Sequence, residues 1–391
     1  MSNSTRNSDS LSVRTTQILS DEAYTIFTIV DVVILSEIVS LFGMFTNSIT
    51  IIVLVRQGFR KSINVSLAGL AVSDFLSLVS LVCLCVGNNP WLIQADVSFD
   101  PIGVFYLTTG WPNTIFARIT GWITAYITLE RCLCVAMPLK IKRVLTRNTS
   151  FLVLVLIYIG VIAGVCPIYF TTGLHWRYDS AKNRSIIGLN FIGANREDIK
   201  RVALAITNVF SPFTSFGLVI ICTAILGFKL TEKSNWRNRI ARKVKGQRKV
   251  KGSPEKTVSK EKIISKNDAN ANNERANSCN ENGKAAEVVS PVSKDAKVIK
   301  LVVALSSIYI ISSIPAVVHF VWMILDPQYT VVGLQSNVHI SVAGITFLFQ
   351  AANSSANLFT YIYMSSSFRM EFYKLRPFKK CSPHSADDNI K

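Results

Sequence analysis

Charge is scarce in this chain: Asp, Glu, Lys and Arg make up 17% of its 391 residues, against 49% hydrophobic. So few charges exclude an ordinary soluble domain, in which about a quarter of residues are charged. Cysteine is missing from the expected outer loops. The eight cysteines stand at 83, 85, 132, 134, 166, 222, 279 and 381, so no disulfide framework is indicated. Cys83, Cys85 and Cys166 lie towards outer span ends, where a bridge could form; small apolar packing is the simpler role for most. Residues 1–28 lack the apolar run of a cleavable signal, so the first apolar segment is expected to act as its own insertion signal. Internal repeats and paired broken helices are also absent, which argues against a transporter or channel.

The apolar content is clustered. Stretches near 32–55, 63–87, 102–129, 150–171, 201–228, 298–325 and 337–364 each reach the length of about 20 helical residues needed to cross a hydrocarbon core. The expected fold is an all-α membrane protein: a seven-transmembrane helix bundle with a short amphipathic eighth helix. Residues 1–28 form an extracellular tail, 29–365 the bundle and 366–391 an amphipathic helix and cytoplasmic tail. Within the bundle, the basic link 230–296 is expected to be disordered, with a stretch around Trp236 able to extend the fifth helix.

The net charge of +18 lies in alternate links. Arg56, Arg60 and Lys61 follow span one; Lys140, Lys142, Arg143 and Arg147 follow span three. Fourteen Lys/Arg against three Glu lie between Lys229 and Lys266, and Arg369 to Lys380 follow span seven. The remaining links are mixed in sign. The positive-inside rule then puts the N-terminus outside and the C-terminus in the cytoplasm. Placed there, positive charge meets anionic lipid and implies no nucleic-acid partner. Asn3 and Asn183 begin glycosylation patterns on the outer side; Asn64, Asn148 and Asn353 match the pattern out of reach of that machinery.

The most informative motif is Glu130-Arg131-Cys132, a cation beside its own acid at the inner end of span three, followed by Pro138-Leu139. Asp74 lies mid-span and must find partners, because an isolated carboxylate there costs about 2.5–3.5 kcal/mol. Asn47, Thr120, Asn353, Ser354 and Asn357 are the candidates. They would form either a hydrogen-bonded packing cluster or a water-filled, sodium-binding pocket; no other metal and no cofactor is expected.

These features resemble rhodopsin-like G-protein-coupled receptors. The shared pattern is Glu130-Arg131, Asn47, the Leu-Ala-x-x-Asp that ends in Asp74, and Asn357-Leu358-Phe359-Thr360-Tyr361. Several stretches are similar to the gastropod-mollusc group labelled chemosensory receptors: Asn64-Val65-Ser66-Leu67, Gly110-Trp111-Pro112, Trp122-Ile123-Thr124-Ala125 and Leu129 to Cys134. The resemblance implies an extracellular ligand, here a chemosensory cue, and a heterotrimeric G protein, with arrestin and a receptor kinase as further partners at the plasma membrane. A neuropeptide receptor of the same fold is the alternative; enzymatic activity is not expected. Asn113 stands where amine receptors carry an aspartate, which disfavours a biogenic amine.

Departures from the family are specific. Leu358 replaces a proline, Ser313 stands where the family has a tryptophan before Pro315, and no cysteine ties the outer end of span three to the following outer loop. Pro315 can still bend span six. By resemblance, Trp111, Asn113, Arg118, His319, Trp322 and Gln350 are ligand-pocket candidates among spans three, five, six and seven. Arg118 could instead pair with a nearby carboxylate. Asp31 is expected to be solvated at the outer interface, and Glu37 to face the bundle. Pro138 and Leu139 would dock on the G protein, Asn357 and Tyr361 belong to the switch, and Cys381 is either palmitoylated or a free tail thiol. Asp295 lies twenty residues before Pro315, about 30 Å along a helix. That depth matches Arg131, so the two could form an inner lock.

Overall fold

The computed structural model describes residues 18–137, 141, 144–180, 183–193, 196–250, 291–330 and 333–375. Seven helices there exceed 20 residues. They are α1 (Asp21–Gln57), α2 (Ser62–Gly87), α3 (101–136), α4 (Arg147–Thr171), α5 (196–250), α6 (Pro291–Leu325) and α7 (Ser336–Met364); the short α8 (Ser366–Tyr373) follows. Within α1, α2, α4, α5 and α6 lie segments both long and apolar enough to cross a membrane. The inner ends of the helices are those that carry the basic links.

Local chemistry sets the helix starts. Ser20, Asp100, Thr146 and Ser365 each precede a helix and accept a backbone N–H from its first turn, satisfying a donor that the helix itself leaves free. Pro101 occupies the first turn of α3, where its missing N–H costs nothing. Wider π-turns interrupt three helices, at Ile29–Ser36, Tyr106–Gly110 and Ala205–Phe210. Such bulges rotate the following face and recur at functional sites.

The arrangement reverses the soluble pattern. Phe45, Leu156, Phe170, Phe228, Ile311 and Leu325 point outward, while Ser36, Ser40, Ser66, Ser73, Thr50 and Thr128 are buried. Lipid favours the first set, and partners inside the bundle are needed by the second. One apolar cluster joins the inner halves of most helices, through Val53, Leu70, Ile123, Leu226, Val302, Leu358 and Phe372.

One expectation needs correction, and two links hold more structure than their sequences specify. Asp31 is not solvated: the π-turn in α1 directs it at α7, where it is 5% exposed and Oδ2 has no hydrogen-bond partner. Gly344 makes that approach possible, since a Cβ there would stand 2.5 Å from Asp31 Oδ2. The basic link is helical at both ends, because α5 continues to Val250 and α6 begins at Pro291. The outer link between α4 and α5 is not a plain loop. It holds an antiparallel hairpin, β1 (Thr172–Asp179) with β2 (Arg184–Phe191), paired from Thr172↔Phe191 to Asp179↔Arg184.

Among the described residues no cysteine holds this hairpin, and Cys83, Cys85, Cys132, Cys166 and Cys222 are free thiols. Instead Ile187 bridges the segment before α3: its N–H donates to Ser98 at 3.0 Å and its carbonyl accepts from Asp100 at 2.8 Å. Arg177 pairs with Asp100 at 2.9 Å and Arg184 with Asp96 at 2.5 Å. Arg184 also donates to the Val97 carbonyl at 2.7 Å. The hairpin is thus tied to the start of α3 by charge and backbone, at the place where the receptors that the sequence resembles have a disulfide.

Candidate functional site

The inner end of α3 carries Glu130 and Arg131. Arg131 Nη2 donates to Glu130 Oε1 at 2.6 Å, with the carboxylate side chain fully buried and the arginine 18% exposed. The same oxygen accepts from Ser62 at the start of α2. Ser62 accepts in turn from Ser150 of α4 at 3.0 Å, and Ser150 meets the Tyr126 hydroxyl at 2.8 Å. Glu130 is therefore fixed by three helices, while Arg131 is held by Glu130. Glu130 Oε2 and Arg131 Nε are buried without hydrogen-bond partners, so the pair is incompletely satisfied. Opening such a pair forfeits fewer hydrogen bonds than opening a saturated one. One turn away, Thr128 faces Ser306 of α6 at 3.4 Å, which puts the inner half of α6 against α3.

Sequence reading missed Ser62, Ser150 and Tyr126. Hydroxyls are common in apolar helices, and nothing in their spacing says which acid they reach. Pro138, Leu139, Asn3 and Cys381 lie outside the described residues. Asp295 lies in α6, but its side chain is likewise outside them.

Midway through the bundle, Asp74 is fully buried. Its Oδ1 accepts from Thr120 at 2.8 Å and Ser354 at 2.9 Å; its Oδ2 accepts from Asn357 at 2.7 Å. Ser73 meets Thr120 at 3.0 Å. Asn47 is not a donor to Asp74. Its Nδ2 spans the Gly43 and Ser354 carbonyls at 2.9 Å each, leaving Oδ1 buried without a partner. Asn353 is buried one residue before Ser354.

A carboxylate has about four lone-pair sites, and three are used. The Thr120 and Ser354 hydroxyls can rotate to offer oxygen instead of hydrogen. The set then suits a hard monovalent cation, which takes oxygen ligands. Leu358, where the family has a proline, is packed in the apolar core. Tyr361 beside it is buried with its hydroxyl unpartnered and its ring 5.4 Å from Phe368 of α8.

The ligand-pocket candidates divide into four groups. Asn113 and Gln350 converge on Ser77 of α2: Asn113 Nδ2 donates to its carbonyl at 2.9 Å, and Gln350 Nε2 to its hydroxyl at 2.7 Å. Trp111 turns towards α4, packing with Leu107, Val165 and Ile168. Arg118 finds no carboxylate among the described residues; its guanidinium lies over Phe320, 5.0 Å from the ring centre, a favourable cation–π position. Gly121 on the same helix admits the Tyr309 hydroxyl of α6, where a Cβ would come within 2.7 Å.

His319 and Trp322 meet two residues that sequence reading did not single out, Tyr329 and His339. The Tyr329 hydroxyl lies 2.8 Å from His319 Nδ1, and its ring stacks on Trp322 at 4.4 Å. His339 stands 4.8 Å from His319, ring to ring. Tyr329 follows the helix in the outer link, and burial pushes its hydroxyl up to about 12, so it stays a neutral partner. Only a fold that returns α7 beside α6 brings these rings together. Asn183 sits at the exposed hairpin turn with φ of 51°, a left-handed conformation that asparagine tolerates.

A family model described as 7 transmembrane receptor (rhodopsin family) matches residues 46–361. No curated protein matches the chain.

Proposed function

The chain belongs to the rhodopsin family of seven-transmembrane receptors, and from that premise we propose a plasma-membrane receptor that answers an extracellular chemosensory cue by activating a heterotrimeric G protein. All seven long helices cross the membrane, with the N-terminus outside, the C-terminus in the cytoplasm and α8 lying in the inner interface. The ligand enters under the hairpin lid, among α3, α5, α6 and α7. Arg118, His319 and Trp322 face it most directly, and Gln350 and Asn113 pass its effect to α2. Bending of α6 at Pro315 then carries its inner end away from Thr128. Arg131 leaves Glu130 and offers its guanidinium to the G-protein tail, and Pro138 and Leu139 dock on the same partner. Arrestin and a receptor kinase would act on the same inner face, and Asp74 with Thr120 and Ser354 would hold a sodium ion in the resting state. Asn3 and Asn183 would carry glycans and Cys381 a palmitoyl chain.

The Glu130–Arg131 pair carries this reading. It keeps a charged donor folded back at the inner end of α3, and guanidinium geometry suits capture of a carboxyl terminus. Arg131→Ala should reach the cell surface at the wild-type level and fail to stimulate nucleotide exchange on purified heterotrimer. Full exchange by that variant would remove the central claim.

A further inference from the structure

At the inner ends of α6, α7 and α8 lies a cavity of about 240 Å³ lined by Lys297, Lys300, Tyr363, Met364, Ser366 and Arg369. Three of these six carry positive charge and none carries negative charge. Lys297 and Lys300 are one turn apart on α6 and share a face. Arg369 comes from α8, where Nη1 leans on the last carbonyls of α7, Ile362 at 3.3 Å and Tyr363 at 3.5 Å. That contact fixes the guanidinium head and leaves its other donors for a guest. The nearest acid on α8, Glu371, is already paired with Lys374 at 2.8 Å. Among the described residues, no carboxylate pairs with Lys297, Lys300 or Arg369.

We infer that this cleft binds the headgroup of a membrane lipid bearing phosphomonoesters, with one anion bridging α6 to the α7–α8 corner. Charge selects the headgroup. A lipid of single net charge leaves two of the three cations unmatched, whereas each phosphomonoester brings about −1.5 to −2. Surroundings select the lipid over a soluble anion: Tyr363 is 84% exposed and Met370 62%, giving the rim an apolar surface for acyl chains. Basic pockets between helices on the cytoplasmic side are suited to such headgroups. The bridge also opposes any outward swing of α6, so a bound headgroup lowers basal coupling. This last consequence rests on the receptor function proposed above; binding does not.

The test uses the full-length receptor in phosphatidylcholine nanodiscs without G protein, so it stands even if coupling fails. Fluorescent phosphatidylinositol bisphosphate and phosphatidylserine are titrated at equal total charge. The bisphosphate should be retained more tightly. Each cation contributes about fivefold, so Lys297→Gln/Lys300→Gln/Arg369→Gln should weaken retention about a hundredfold. Equal retention of the two lipids, or an unchanged triple variant, would overturn the assignment. Lys300→Arg separates charge from folding: it should keep wild-type retention, and a loss equal to that of Lys300→Gln would refute the electrostatic account. Soluble inositol phosphate and inorganic phosphate provide the remaining arm. Displacement of the lipid by either at micromolar concentration would assign the cleft to a free anion and end the lipid reading.

Discussion

Removing the negative charge at Glu130 should release Arg131 without removing it. In Glu130→Gln the amide oxygen can still accept from Ser62, so the tie to α2 and α4 survives in part. Lost is the charge-assisted bond to Arg131 at 2.6 Å. Bonds of this kind contribute about 1.5–3 kcal/mol. The arginine is 18% exposed and water replaces part of the loss, so the low end, about 1.5 kcal/mol, is the better figure. That corresponds to about tenfold in the resting-to-active ratio. Starting from about one active molecule in a hundred, basal exchange should rise about tenfold while the maximal response stays unchanged. The assay is nucleotide exchange on purified heterotrimer, with receptor matched by surface labelling and no ligand present. Ser62→Ala serves as a graded control. It deletes one donor to the carboxylate but keeps the negative charge that holds Arg131, so it should raise basal exchange by less than Glu130→Gln does. If Glu130→Gln leaves basal exchange at the wild-type level while Arg131→Ala abolishes stimulation, Arg131 acts without being freed from Glu130. The proposed switch would then be wrong in its central step.

Asp74→Asn should remove any dependence of receptor behaviour on sodium, because the amide offers no full charge to the ion. Titrating sodium against thermal stability should show stabilisation in the wild type and none in the variant; flat curves for both would leave the cluster as packing. The lid should resist dithiothreitol, since its fastening uses Asp100, Asp96, Arg177 and Arg184 rather than sulfur. Arg177→Asp should lower hydrogen-exchange protection at Ile187 by up to about fivefold, consistent with about 0–1 kcal/mol for an exposed pair, and Arg177→Lys should keep it. Loss of protection on reduction, or an equal loss in both variants, would refute this fastening. Asp295→Ala should raise ligand-independent signalling up to about fivefold with the maximal response intact, as expected for a wet ion pair worth about 0–1 kcal/mol; an unchanged basal level at matched expression would dismiss the inner lock.

Much of the architecture was legible in the chain because membranes impose length and polarity rules that act locally. Runs of about 20 apolar residues and basic links each carry their own reason to form structure. The need of Asp74 for partners was legible too: a buried charge demands them, and the helix period put Ser354 and Asn357 on one face. Tertiary structure decided the rest, wherever a contact joins residues far apart in sequence. Asn47 had the right chemistry for Asp74 but spends its amide on backbone carbonyls. Asp31 looked solvated until a π-turn in α1 and the bare Cα of Gly344 brought it inside. Ser62 and Ser150, hydroxyls without any distinguishing pattern, acquired a role only when α2 and α4 met at Glu130. Sequence periodicity fixes which face a residue occupies, but not which neighbour that face meets. That depends on the crossing of helices, and here it set both the partner of the buried acid and the fastening of the lid.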